Sequence, residues 1–372
     1  TNRLLAFFVF VLLCTNNSLV DLFGLARGYG MSCGFMFASL CFFIESFYRQ
    51  KLRNIALFHF FSVLAVLSSF PLLTFYVSLI FIAILFAFIE RRAFSAQKPS
   101  IFSLMKKHFI PFFFAIIVLY EPVRRVIKFN DLDFGGKDGF FADTVKDVVN
   151  YFLHYIYLTP TMLACLKAVF VSFVLIPLFY SIFLLLRGDT KFFENNKPLI
   201  ISSFLFFLIS VAFVLQHHVL HSDYPIYRFC IYLLPLYIVH LGFVLSLIIE
   251  RSNKSAVIGF ACALAIFSST KFVLQADLYS CSEWSYDMET KNMIQKLTDN
   301  YNQTERNRST KIQMSVSWLF EPTINFYRQT KNLTWLTPVH RSPITEYADY
   351  YYVLQEDLNK LNSSDYEVLF EF

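Results

Sequence analysis

The sequence predicts an all-α bundle of membrane-spanning helices followed by a small α/β domain. Apolar segments of the length a helix needs to cross a bilayer, roughly 20 residues, recur through residues 1–275. Of the 372 residues, 56% are hydrophobic and only 16% charged, with a mean hydropathy of +0.51, well outside the balance of a water-soluble domain. From residue 276 onward the chain turns polar and the long apolar runs stop.

About nine spans are expected, running Leu4–Phe23, Met31–Tyr48, Asn54–Phe70, Leu72–Ile89, Phe109–Tyr120, Met162–Leu186, Leu199–Leu215, Phe229–Ile249 and Ala256–Gln275. Thr15, Asn16, Asn17 and Ser18 interrupt the first, and the fifth is short. Basic residues orient the set, because short cytoplasmic loops collect Lys and Arg. If Arg49, Lys51 and Arg53 are cytoplasmic, strict alternation puts Arg91, Arg92, Lys98, Lys106 and Lys107 on the same side. Arg187, Lys191, Lys197, Arg251 and Lys254 follow them there. The opposite face receives the turn near Arg27, the loops 121–160 and 216–228, and the tail 276–372.

The longer outer loop has its own order. Gly135, Gly136 and Gly139 mark turns. Asp143 is placed to cap a helix carrying Val145, Val148, Phe152 and Tyr155 on one face, suited to lie flat on the membrane surface. In the tail, Ile312–Trp318 alternates like a strand and Leu319–Gln329 reads as a helix with Pro322 in its first turn. Tyr350–Leu354 and Tyr366–Phe372 read as further strands, with a short helix near Gln355–Leu361.

Several classes are set aside. The net charge of +5 is scattered through short loops, so no nucleic-acid partner is implied. No CxxC pair occurs, and the cysteines read as small buried hydrophobes rather than a metal or disulfide framework. No signal peptide is apparent at the start. His59 and His240 are the clearest ionisable groups well inside spans; each reads as a hydrogen-bonded core residue rather than a proton relay.

Polar residues gather instead at the outer face, in three constellations. Asp21–Ser32 contains Arg27-Gly28-Tyr29-Gly30, a tight turn whose Arg27 can fork onto a phosphate or snorkel to headgroups. Glu121-Pro-Val-Arg124-Arg125 puts two arginines at the interface, for a phosphate or for ordinary headgroup contact. His217-His218-Val-Leu-His221-Ser-Asp223-Tyr224-Pro225-Ile-Tyr-Arg228 offers Arg228 as an anion ligand or anchor, and His221, Asp223 and Tyr224 as acceptor or loop contacts, a role open to Glu121 of the second constellation as well. The reading assigns no metal, His217, His221 and Asp223 being weak candidates for a divalent ion.

These residues carry a resemblance. The run Leu25–Ser32 (LARGYGMS) resembles the A-R-x-Y turn of class C (GT-C fold) membrane glycosyltransferases, relatives of protein O-mannosyltransferase and of the lipid A aminoarabinose transferase. It is more closely similar to a bacterial group in that superfamily with ARGYG-[LM]-S, a G-G-x-x-[GS]-F loop, Y-P-x-x-R before a span, and W-[LF]-x-P-x-x-N-F-Y. The matching pieces are Gly135–Phe140, Tyr224–Arg228 and Trp318–Tyr327.

The resemblance implies a GT-C-like bundle in a bacterial inner membrane with an extracytoplasmic C-terminal domain. Its implied activity moves a sugar from a polyprenyl-phosphate donor to a glycan, lipid or protein acceptor. It gives the lipid-phosphate sugar as donor substrate and membrane lipid as partner, assigns no cofactor and leaves a divalent metal open. Arg27, Tyr29, Arg124, Arg125 and Arg228 would hold the donor phosphate; Glu321, Asn325 and Arg341 would meet the acceptor. The family's catalytic carboxylate lies in an outer loop expected before Thr1, so the chain reads as beginning inside a longer protein. Two other readings stay open: a flippase for lipid-linked glycans, which predicts a polar path through the bundle, and a non-catalytic scaffold.

Overall fold

The computed structural model describes residues 3–24, 28–49, 51–94, 101–129, 135–154, 156–251, 254–275, 282–305, 311–341, 344, 347–361 and 366–369. They belong to two compact units, Thr1–Ala276 and Asp277–Phe372.

The first unit is helical: α1 (Arg3–Cys14), α2 (Asn17–Gly24), α3 (Tyr29–Arg49), α4 (Leu52–Ser68), α5 (Leu72–Phe94), α6 (Ile101–Phe129), α7 (Thr144–Leu153), α8 (Pro160–Leu186), α9 (Thr190–Asn195), α10 (Lys197–Leu220), α11 (Leu233–Arg251) and α12 (Lys254–Gln275). Among the described residues, six helices are long and apolar enough to cross a membrane: α3, α5, α8, α10, α11 and α12. Together α1 and α2 make a seventh, bent by 58° at the break between them. That break falls on the polar run at Thr15–Asn16, whose side chains compete with the helix for backbone hydrogen bonds.

The remaining expected spans differ for readable reasons. α4 is apolar but 17 residues long. α6 extends well past the expected Phe109–Tyr120, to 29 residues with Pro111 and Pro122 inside it. Its uncharged stretch is bracketed by Lys107 and Glu121, shorter than a straight crossing needs.

Helix starts follow their local chemistry. Thr159 accepts the Met162 N–H at 3.3 Å, with Pro160 in the first turn of α8, and Asp189 caps α9 by accepting the Phe192 N–H at 2.9 Å. Small polar residues glue the bundle where apolar burial cannot, since lipid is as apolar as Leu. Ser39 of α3 meets Ser62 of α4 at 2.7 Å, and Thr74 of α5 meets the Tyr232 hydroxyl, just before α11, at 3.0 Å. Aromatic rings interlock one end of the bundle: Phe43 on Phe58 (5.0 Å), Phe47 on Phe86 (5.1 Å) and Phe86 on Phe193 (5.0 Å). α12 buries Ala261 and little else. Four of the described cysteines, Cys14, Cys41, Cys165 and Cys262, are exposed rather than buried; in a membrane helix an apolar outward face is as favourable as an inward one.

The second unit is α/β. α13 (Thr290–Asn300) leads to β1 (Met314–Val316), then α14 (Glu321–Thr330), then β2 (Tyr350–Tyr352). The strands pair in parallel, Met314 beside Tyr350 and Val316 beside Tyr352, so α14 lies in the connection between them. Ile294, Ile312, Phe320, Ile324 and Leu336 form its core. Pro322 sits in the first turn of α14. The strand expected over 366–372 is not seen in residues 366–369, where Val368 and Leu369 are both exposed; residues 370–372 lie outside the described residues. Alternation does not make a strand without a face to bury.

Candidate functional site

The loop at Gly135–Phe140 and the constellation at His217–Arg228 meet directly. Gly136 and Tyr224 form an antiparallel bridge, each N–H donating to the other's carbonyl at 2.9 Å. The approach requires glycine. A Cβ on Gly135 would lie 2.3 Å from the Tyr224 carbonyl oxygen, and one on Gly136 would lie 2.2 Å from the Asp143 carboxyl carbon. Asp143 does not cap α7 with its side chain, as its position led us to expect. Its Oδ2 turns back to accept the N–H groups of Asp138 (2.8 Å) and Gly139 (3.0 Å).

α7 is docked rather than lying free on a surface, with Val145, Val148, Val149 and Tyr151 buried. Thr144 donates to the Pro225 carbonyl at 2.8 Å, and Asp147 accepts the Tyr227 N–H at 2.6 Å. Burial pushes the Asp147 carboxyl above its ordinary range, against the opposing pull of that N–H. The Gly135–Phe140 loop, the first turns of α7 and the Tyr224–Arg228 segment are thus one knitted layer. Arg228 stands in its short 3-10 turn, 5.2 Å from the Phe229 ring.

The other expected site residues are distributed as follows. Arg27 lies outside the described residues. Tyr29 opens α3, half-buried, and its carbonyl accepts the Ser32 hydroxyl at 2.8 Å; Gly28 before it takes φ +78°. Glu121 holds both neighbouring arginines: Arg124 binds it through two nitrogens, at 2.8 and 2.9 Å, and Arg125 through one at 3.0 Å. These bonds draw the Glu121 carboxyl down to about 2. The arginines therefore already share an anion.

His217 donates through Nδ1 to the Ser222 carbonyl at 2.9 Å and stacks on Tyr224 at 4.3 Å. His221 closes α10 in the left-handed conformation, exposed. Asp223 has one buried carboxylate oxygen with no hydrogen-bond partner. Among the described residues no three His, Cys, Asp or Glu side chains converge as metal ligands. In the second unit, Asn325 clamps the Val339 backbone at 2.7 and 3.1 Å, while Arg341 pairs with Glu321 at 3.3 Å.

Both histidines expected inside spans are hydrogen-bonded. His240 bridges Ser202 (2.8 Å) and the Phe173 carbonyl (3.0 Å). A carbonyl at Nε2 fixes the proton there and leaves Nδ1 to accept from Ser202. His59 bridges the Tyr76 hydroxyl (2.7 Å) and His108 (3.0 Å).

The polar centre that sequence reasoning missed lies at the α1–α2 break. Asn16 donates to the Tyr151 and Phe152 carbonyls at 3.2 and 3.3 Å and accepts the Leu19 N–H at 3.0 Å. Lys271 of α12 donates to the Leu153 carbonyl. Together they satisfy the last carbonyls of α7, which have no partner inside the helix. His154 follows in the left-handed conformation, φ 48°, with its Nδ1 3.0 Å from Ser18. Burial pulls its imidazole below the ordinary range; Asp21 opposes this and Lys271 adds to it.

Beside these groups is a cleft of about 390 Å³, counting its open mouth, lined by Thr15, Asn17, His154, Ile238, Ser268 and Lys271 among others. Thr15 and Ser268 meet at 2.9 Å. Asn17 is 5% exposed and its Oδ1 has no partner. The signal was present in the sequence as four consecutive polar residues in an apolar segment, with a lysine near the end of the last one. No family model, curated protein or solved structure matches the chain.

Proposed function

We propose that this is a class C-type membrane glycosyltransferase, which moves a sugar from a polyprenyl-phosphate donor to an acceptor at the outer face of a bacterial inner membrane. In this reading the bundle crosses the bilayer nine times, α6 included, and residues 277–372 lie outside the cytoplasm. Support for the alternation comes from which helix ends meet. Gly136–Tyr224, Thr74–Tyr232 and Asn16–Tyr151 join ends assigned to the outer side. Lys197 over Tyr48 (5.4 Å) and Arg251 over Tyr180 (5.4 Å) join ends assigned to the inner side.

The observation that carries the reading is the pairing of Gly135–Phe140 with Tyr224–Arg228, two segments that the resemblance matches and that bind each other backbone to backbone. In the reaction, an acceptor hydroxyl oxygen bonds to the sugar's anomeric carbon as its bond to the phosphate oxygen breaks. The hydroxyl proton passes to a carboxylate. The departing lipid phosphate gains charge, and a guanidinium is suited to bind it. Arg228 takes that role, which the resemblance also assigns to Arg27 and Tyr29; Asp223, with one carboxylate oxygen that has no hydrogen-bond partner, meets the acceptor hydroxyl.

The test is release of polyprenyl phosphate from lipid-phosphate sugars by the purified protein in bilayers. Release that falls in folded Arg228→Ala supports the reading; no release with any donor overturns it. The broken α1–α2 helix favours a second reading, since discontinuous helices line substrate sites in transporters. Lipid-phosphate sugar that crosses a vesicle bilayer intact, with no phosphate released, selects the flippase.

A further inference from the structure

We infer that Tyr227 is the sugar contact of the site: its ring stacks on the sugar of a lipid-phosphate sugar, one residue before the phosphate ligand Arg228. Tyr227 was not among the expected site residues. The inference rests on the reading of Arg228 given above and names the contact made beside it.

Tyr227 has a backbone φ of 50°, a region that L side chains enter at a cost and bulky ones rarely. Among the described residues three other non-glycines share it: His154, His221 and Asn332. His154 and His221 close α7 and α10, where the left-handed conformation is a common helix stop, and Asn adopts it readily. Neither reason applies to Tyr227, which opens the short 3-10 turn Tyr227–Phe229. The strain is held from both sides. The Tyr227 N–H donates to the Asp147 carboxylate of α7 at 2.6 Å. Its carbonyl accepts the N–H and the thiol of Cys230, both at 3.1 Å. Thr144 fixes the Pro225 carbonyl at 2.8 Å. All of these bonds use the main chain of residues 225 and 227. Gly or Asn at position 227 would make every one of them without the strain, so what the tyrosine adds is its side chain.

That side chain is not part of the core. Tyr227 is 53% exposed, and among the described residues no hydrogen bond or ring contact engages its phenol. Tyr224, three residues earlier, is 5% exposed and stacked on His217, as a packing residue is. Backbone strain kept at a residue whose ring is half open is the pattern of a ligand contact. Position selects the ligand. Consecutive Cα atoms lie about 3.8 Å apart, so a lipid-phosphate sugar with its phosphate at Arg228 brings either the sugar or the first isoprene unit to Tyr227. A phenol suits the sugar, whose C–H face covers the ring while its hydroxyls meet the phenol oxygen. An isoprene unit would cover the ring and leave the phenol hydroxyl unpaired, which costs free energy.

The experiment measures binding, not transfer. The full chain in detergent is titrated with undecaprenyl-phosphate glucose, undecaprenyl-phosphate mannose, undecaprenyl-phosphate galactose and bare undecaprenyl phosphate, read by native mass spectrometry. The parent protein should prefer at least one sugar-bearing lipid. Tyr227→Asn and Tyr227→Gly put residues there that take the left-handed backbone readily. Both should lower that affinity about tenfold or more, the loss usual when a central tyrosine contact is truncated. Both should leave bare undecaprenyl phosphate unchanged and melt no lower than the parent, whereas Arg228→Ala should weaken all the lipids. Equal weakening of sugar-bearing and bare lipids in the Tyr227 variants makes Tyr227 a lipid anchor and overturns the inference. Unchanged binding with a lower melting temperature makes it a packing residue, and no sugar preference in the parent leaves it no sugar to hold; either overturns the inference as well. Sugar preference lost in Tyr227→Asn, with no polyprenyl phosphate ever released, upholds the sugar contact and overturns the transferase reading. Release that falls in Arg228→Ala, with binding unchanged in Tyr227→Asn, does the reverse.

Discussion

Gly136 and Tyr224 bind each other through both of their backbone polar groups, at 2.9 Å in each direction. The bridge forms with the Asp143 carboxyl pressed against Gly136. Any side chain there must displace either the carboxylate or the bridge.

Gly136→Ala should therefore lower stability by about 1–3 kcal/mol, the usual cost of overpacking, and free the loop from the Tyr224 segment. Thermal melting of the purified protein, with hydrogen exchange at Tyr224, reads both effects. Gly139→Ala is the control for space, as nothing lies within 4 Å of its Cβ position, though its φ of +128° adds backbone strain of its own. Protection at Tyr224 should survive in that variant.

Asn16 serves α2 as a cap and α7 as a donor. Asn16→Ala removes both and should cost about 1–3 kcal/mol. Asn16→Asp keeps an oxygen for the Leu19 N–H but turns an acceptor toward the Tyr151 and Phe152 carbonyls. It should destabilise at least as much as alanine, which a melting comparison decides. Recovery by Asp would reduce Asn16 to a local cap.

The half-buried imidazole of His154 makes stability depend on pH. Its folded-state pKa lies below the unfolded value of about 6.5. The stability it contributes is complete above that unfolded value and is lost as pH falls through the lower folded one. Melting temperature should drop on acidification below about pH 6.5, and less so in His154→Asn, because Asn tolerates the left-handed backbone. An unchanged acid slope in that variant would assign the loss elsewhere.

Glu121 neutralises part of the Arg124–Arg125 pair on an exposed helix face. Glu121→Gln should leave melting unchanged, since exposed pairs contribute little. It should increase retention on vesicles of anionic lipid at low salt, an effect that added salt removes. No gain in retention would mean that the arginines face away from headgroups.

The apolar segments were legible because lipid demands long uninterrupted runs, and α7 was legible from the spacing of Val145, Val148 and Phe152. The role of Thr15–Ser18 was not. Local sequence shows only that a helix is interrupted there; that Asn16 reaches carbonyls of Tyr151 and Phe152 depends on pairing far along the chain. The same holds for Asp143, whose position before a helix is a cap signal but whose carboxylate finds two nearer N–H donors behind it. Arg124 and Arg125 read as cations open to a phosphate although Glu121 stands three and four residues before them; that one carboxylate holds both at once is a matter of geometry.

The end of α7 has a consequence for biosynthesis. Its last carbonyls take their donors from Asn16, at the break between α1 and α2, and from Lys271, more than 250 residues later in α12. During translation the loop helix must wait, half-anchored and hydrated, until residue 271 leaves the ribosome and α12 inserts. A nascent chain halted before that point would hold α1–α11 and still leave the Leu153 carbonyl without its lysine, so protease protection of the 144–154 segment should come late and all at once.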